Sequence, residues 1–266
     1  HIGCEKDCCL GVSPGEYFVS CIGLVDKKNK KRYLFDATPD LHNQLRILEN
    51  FPTSDNIVDG IFLTHAHIGH YTGLMYLGRE GLGGNEINVF ALERMSNFLQ
   101  NNGPWDQLVD LKNISLNSLE NLQPVNLSKD LKVIPIKVPH RDEYSETVGY
   151  LIKGNRKRAL YIPDIDKWAK WNISITEMIK NVDYAFLDGT FFDEKEINNR
   201  DISEIPHPFI IESLELFNNL ENIDKAKVYF IHLNHTNPVL NKNSEEYKRV
   251  ILSGFKVAEP GMEFVL

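Results

Sequence analysis

The chain has 266 residues, 42% of them hydrophobic and 25% charged, with a formal net charge of −8. That length and balance give one or two globular domains with a sizeable core, and exclude collagen-like and low-complexity classes. The acidic balance disfavours a general nucleic-acid binder, whose footprint is basic, and no apolar run of about 18 residues offers a membrane span.

Four cysteines are too few for a disulfide scaffold, yet Cys4, Cys8 and Cys9 crowd into one short stretch. Cys4-x3-Cys8 falls within ligand spacing for a structural zinc, with Cys9 and Cys21 as further candidates. A disulfide and free thiols are the competing readings. Adjacent Cys8 and Cys9 bind one ion together poorly, so a fourth ligand from elsewhere is needed. The sequence opens on His1 rather than Met, which reads as a processed or truncated start. No signal peptide is visible, and the compartment stays open between cytoplasm and export.

Glu16 to Val25 and Lys31 to Asp36 are β-rich and flank a basic run, Lys27 to Arg32, which reads as a solvated hairpin tip. Thr38-Pro39-Asp40 predicts a helix start, with Thr38 as N-cap and Leu41, Leu45 and Leu48 at helical spacing. Ile57 to Thr64 is a short apolar strand, and a helix is expected over Gly73 to Gly78. A strand at Asn88 to Ala91 and a helix from Glu93 to Asn101 follow. Leu131 to Val138 alternates with period two. Val148 to Ile152 and Arg158 to Ile162 pair across Gly154-Asn155. Ala185 to Leu187 and Lys227 to Ile231 are strands, and Phe209 to Leu220 is an amphipathic helix. No linker or repeat interrupts the chain, so one α/β domain is expected over 1–266, with a Cys-rich N-terminal segment at about 1–21. Helices and strands do not alternate strictly, which argues against a Rossmann-type sheet.

The sharpest feature is Thr64-His65-Ala66-His67-Ile68-Gly69-His70, three histidines directly after an apolar strand. On extended backbone His65 and His67 point the same way and can grip one ion, while His70 turns away with the helix start. His140, Asp164 and His232 each follow an apolar strand, at the carboxyl end where side chains converge on one rim. His207 lies in a Pro-rich loop and is a candidate to face the same pocket. Arg141 and Tyr144, beside His140, are candidates to bind an anionic substrate. His42 reads as solvent-facing, and Trp105, Trp168 and Trp171 as core or pocket wall.

These residues resemble the metallo-β-lactamase superfamily, whose signature is His-x-His-x-Asp-His after a strand. The resemblance implies a four-layered αβ/βα sandwich. It implies that His65, His67 and His140 hold a first metal, Asp164 bridges, and His70 with His232 hold a second. The segments FDATPDL (35–41), VPHRDEYSETVGYLI (138–152), LYIPDIDKW (160–168) and FIHLNHTNP (230–238) are similar to the pyrroloquinoline-quinone biosynthesis protein B group. The cysteine-rich start resembles that group too. This chain departs from the signature at Gly69, which stands where the superfamily has its aspartate. One strong zinc site and a weaker second are therefore expected, with iron or manganese also open.

The expected activity is that of a zinc-dependent hydrolase of phosphodiesterase-like type. A metal-bound water attacks a small ester, phosphodiester or lactam-like substrate, with Asp164, His207 and His235 as catalytic candidates. Whether Asp166, Asp188 or His235 replaces the base absent at position 69 is left open. An iron-dependent oxidase or hydroxylase of cofactor biosynthesis is the first alternative. A degenerate metal- or metabolite-binding protein is the second. A small-molecule substrate is the expected partner, and a homodimer is compatible with the sequence.

Overall fold

The hairpin anticipated at the basic run forms, with β1 (Ile22–Asp26) antiparallel to β2 (Lys31–Phe35) and Ile22 opposite Phe35. This is seen in a computed structural model that describes residues 1–10, 12, 16–51, 56–197 and 205–266. Only Lys27–Lys30 form the tip. Arg32 is buried on β2, where its guanidinium donates to the carbonyls of Leu48 at 2.7 Å and Asn56 at 3.3 Å. The long stem of an arginine lets it lie under the strand while its fork satisfies carbonyls at a helix end.

The chain divides into two compact units, one of residues 18–137 and 142–148, the other of 1–17, 138–141 and 149–266. The first continues through α1 (Leu41–Leu48), β3 (Gly60–Phe62), α2 (Ile68–Tyr71), β4 (Ile87–Ala91), α3 (Glu93–Asn101), α4 (Trp105–Asp110) and β5 (Ile114–Ser118). Its sheet runs in sequence order, β1 to β5, and every pair after the opening hairpin is parallel. Leu34, Leu41, Leu45, Ile61, Leu74 and Val89 fill its core. A short hairpin of β6 (Val125–Asn126) and β7 (Lys132–Val138) follows.

Helix α1 starts two residues later than expected. Asp40, not Thr38, is its N-cap residue, and the Asp40 carboxylate is drawn away to accept the amide of Val19 at 2.8 Å. Gly78 ends a 3₁₀ turn over Thr72–Leu77, where a helix was expected. Within that turn Gly73 is required for close approach: a Cβ there would collide with the carbonyl oxygen of Thr38. The amide of Gly73 donates to Ala37 and that of Ala37 to the carbonyl of His70, so the histidine segment is docked on the end of β2.

The second unit holds β8 (Thr147–Lys153), β9 (Arg158–Ile162), α5 (Ile175–Lys180), β10 (Tyr184–Asp188), α6 (Ile210–Leu216), α7 (Asn222–Lys225), β11 (Val228–Ile231), α8 (Glu245–Leu252) and β12 (Lys256–Val257). Here too a hairpin, β8 with β9, leads into parallel strands in sequence order up to β12. The central strands read as near-continuous apolar runs because both faces are covered. In each unit helices do alternate with the strands after the hairpin. That alternation was hidden because α5 and α8 span only 6 and 8 residues, too short for a clear helical period. Both are marked instead by serine caps: Ser174 Oγ accepts the amide of Glu177, and Ser244 Oγ that of Tyr247. Among the described residues no helix is long and apolar enough to cross a membrane.

Candidate metal centre

In the first unit the polar cluster grows from the carboxyl ends of β2 and β3. Asp36, just past β2, is fully buried and adopts φ of 73°, a backbone strain that aims its carboxylate inward. Its Oδ1 accepts the amide and the hydroxyl of Thr64, each at 2.8 Å, and its Oδ2 accepts Nδ1 of His70 at 2.8 Å. A carboxylate only accepts, so the Thr64 proton is committed to Asp36. The Thr64 oxygen can then only accept, and His65 Nδ1 lies 3.0 Å from it. His65 and His70 are thus both the Nδ1–H tautomer, with Nε2 as the ligand atom. His67 is reversed: Nε2 faces the Glu143 carboxylate at 3.1 Å and Nδ1 becomes the ligand atom.

His65 Nε2 and His67 Nδ1 are 2.8 Å apart. With their outer nitrogens holding hydrogens, two lone pairs point at each other, an arrangement that requires a proton or a metal cation. The donor set therefore fits a metal of imidazole preference. Gly69 adds no carboxylate. A Cβ there would meet only Val19 Cγ1, at an ordinary 3.6 Å, so glycine is not imposed by crowding.

The second unit repeats the device. Asp188 ends β10, fully buried; its Oδ1 accepts the amide and hydroxyl of Thr190 at 2.9 and 2.7 Å. The Thr190 oxygen then accepts Nδ1–H of His232 at 2.8 Å, leaving Nε2 as ligand atom, 4.0 Å from Asp164 Oδ2. His232 is held at φ of 65° just beyond β11. Asp164 Oδ1 lies 3.2 Å from both His140 Nε2 and His207 Nδ1, and His207 Nδ1 also donates to Asp188 Oδ2 at 2.9 Å. Burial lowers the pKa of His207, but the carboxylates of Asp188 and Asp164 outweigh it and push it up to about 9. Asp188, His207 and His232 offer ligand atoms within 4.8 Å of one another.

His207 thus lies beside Asp164 and groups with His232. His235 stands in a different group. Its ring stacks on His1 with centroids 4.1 Å apart, and it groups with Cys4 and Cys9, all ligand atoms within 4.8 Å. A turn at His235 and Thr236 follows β11, closed by the Asn237 amide on the Asn234 carbonyl. Cys8 Sγ is 4.0 Å from the sulfurs of Cys4 and Cys9. Cys21 is not in that group; its thiol donates to the carbonyl of Asp36 at 3.7 Å. Burial raises its pKa, which opposes the thiolate a metal needs. Asp166 is taken by Lys170 at 2.7 Å and by the amide of Lys167. Arg141 and Tyr144 are exposed, Tyr144 packing on Phe98. His42 is exposed, and Trp168 and Trp171 are buried, as read.

Sequence reasoning missed Asp36, Thr64, Thr190 and Glu143. Asp36 carried the same signal as the ligands, a polar residue at the carboxyl end of an apolar strand. The threonines carried none, since their role depends on where a single hydroxyl proton goes.

The comparisons agree with this architecture. The sequence profile of the beta-lactamase superfamily domain matches residues 31–233, and the chain belongs to that superfamily. Its α/β fold is the metallo-β-lactamase fold, shared with the zinc-bound PqqB of Methylobacterium extorquens at TM-score 0.77 and 20% identity, covering 93% of this chain and 87% of that one. A diphosphatase of the PhnP family matches at TM-score 0.68 and 22% identity, covering 98% and 89%. Within the superfamily the resemblance is to the coenzyme PQQ synthesis protein B branch. The protein of that name from Methylococcus capsulatus is 26% identical over 91% of this chain and 86% of its own length. The Rhizobium meliloti protein is 27% identical over 86% and 80%.

Proposed function

We propose that the chain acts as one metallo-β-lactamase-like domain and is a metal-dependent hydrolase of a small ester, phosphodiester or lactam-like substrate. The observation that carries this reading is the facing pair His65 Nε2 and His67 Nδ1, 2.8 Å apart. His65, His67 and His140 are the proposed ligands of a first ion. His70 and His232 serve a second, with Asp164 shared. This assignment is supported by superfamily membership and by the order of these residues in the sequence. Bound there, zinc would lower the pKa of a coordinated water towards about 7 and polarise the bond under attack.

The protein's own residues do the rest. Asp36, Thr64 and Thr190 hold His70, His65 and His232 in the tautomers that present Nε2. His207, charged near neutrality between Asp188 and Asp164, holds a proton it can donate to a leaving group. Cys4, Cys9 and His235 are proposed to hold a separate structural zinc.

Hydrolysis of bis-p-nitrophenyl phosphate by zinc- or manganese-loaded protein, falling at least about a hundredfold in His67→Ala, is the expected result. No turnover of any activated ester or phosphodiester by the loaded protein would contradict it. The similarity to coenzyme PQQ synthesis protein B favours a second reading, a role in cofactor biosynthesis, which we propose would be that of an iron-dependent oxidase. Oxygen consumption by the iron-loaded protein with a tyrosine-like substrate would favour that one.

A further inference from the structure

We propose that Glu143 is a positioning residue that fixes the ring orientation and ligand atom of His67; the inference rests on the metal-dependent reading above. His67 is the least enclosed member of the histidine run: its side chain is 23% exposed, whereas His65 and His70 are buried. His65 and His70 have their outer nitrogens engaged by the buried Thr64 and Asp36, and a buried partner cannot drift. His67 relies on a carboxylate that reaches in from outside, Glu143 Oε2 at 3.1 Å from Nε2.

An exposed ion pair on a free loop would matter little, because two mobile side chains gain little from pairing in water. This loop is not free. On one side of Glu143, the carbonyl of Asp142 accepts Nη2 of Arg94 at 2.9 Å, and its carboxylate accepts the Thr147 hydroxyl at 3.0 Å. On the other side, Ser145 Oγ accepts the amide of Ala66 at 2.8 Å, and the amide of Val148 donates to the carbonyl of Thr64 at 3.1 Å. The loop is thereby tied to Arg94 of α3 on one side of Glu143 and to the histidine segment on the other. Glu143 presents its carboxylate to His67 at a built position, and the position depends on the same strand end that carries the ligands. Accepting Nε2–H does three things: it selects the tautomer with a lone pair on Nδ1, it holds the ring plane, and it raises the basicity of Nδ1.

The test is zinc affinity by chelator competition on folded wild type, His67→Ala, Glu143→Ala and Glu143→Gln. Glu143→Ala is expected to weaken zinc binding about 10- to 100-fold, and Glu143→Gln, which retains an acceptor without the charge, by less. Zinc lost in His67→Ala but bound by Glu143→Ala within about twofold of wild type would overturn this inference alone. Zinc retained at the same site by His67→Ala would overturn the metal reading and this inference together. Should Glu143→Ala not fold, nitrogen-15 shifts of His67 in the zinc-free wild type decide. Protonated Nε2 and unprotonated Nδ1 are expected, and the reverse tautomer contradicts the proposal.

Discussion

Two regions of the molecule solve one problem with the same parts. Each unit leads from a hairpin into parallel strands, and each buries an aspartate at the carboxyl end of one, Asp36 after β2 and Asp188 at the end of β10. Each aspartate fixes the proton of a threonine, Thr64 or Thr190, whose oxygen then selects a histidine tautomer. The regions differ in what lies inside that support. In the first, three imidazoles stand together with glycine at position 69. In the second, Asp164 stands among His140, His207 and His232, and one imidazole is driven to the charged form. The support is shared because any imidazole ligand needs its outer nitrogen held. His207 is charged because two carboxylates, Asp188 and Asp164, face its Nδ1.

The largest effect expected from disturbing the shared support comes from Thr64→Val and Thr190→Val. Each replaces a hydroxyl by a methyl of like shape and leaves a buried carboxylate oxygen and a histidine Nδ1–H short of a partner. Both should lose about 10- to 100-fold in zinc affinity and about 1–3 kcal/mol of stability. Competition titrations and chemical denaturation measure this, and an effect at one threonine only would show that the regions are not equivalent.

A smaller effect separates them by pH. The folded-state pKa of His207, about 9, lies above its ordinary 6.5. Its contribution in zinc-free protein is therefore complete below about pH 6.5 and is lost as pH rises through about 9, on the order of 3 kcal/mol. Denaturation midpoints in chelator should fall across that window, and His207→Asn should flatten the fall. An unchanged slope in the variant would remove His207 from the account. The gentlest change is Gly69→Asp, which gives the first region the carboxylate it lacks. Room at Val19 Cγ1 predicts a folded protein of near wild-type stability, and zinc content by mass spectrometry should rise towards a second ion. Unchanged content would mean that the glycine does not limit the second site.

Much of this was legible in the sequence. The strands announced themselves as apolar runs, and His65, His67, His70, His140, Asp164 and His232 stood at their carboxyl ends. What stayed hidden depended on three-dimensional placement. Arg32 looked like part of a solvated tip until its guanidinium found the end of α1. His235 sits three positions from His232, yet it groups with Cys4 and Cys9. Thr64 and Thr190 act through hydrogen-bond direction, which no spacing encodes.

Anomalous diffraction above and below the zinc edge, on protein purified without added metal, tests the central claim most directly, because it places each ion as well as naming it. An ion coordinated by His65 Nε2 and His67 Nδ1 is the predicted result, with any zinc at Cys4, Cys9 and His235 appearing as a separate peak. Zinc scattering confined to the cysteines, in protein that takes up no metal at the histidines when it is supplied, would contradict the account.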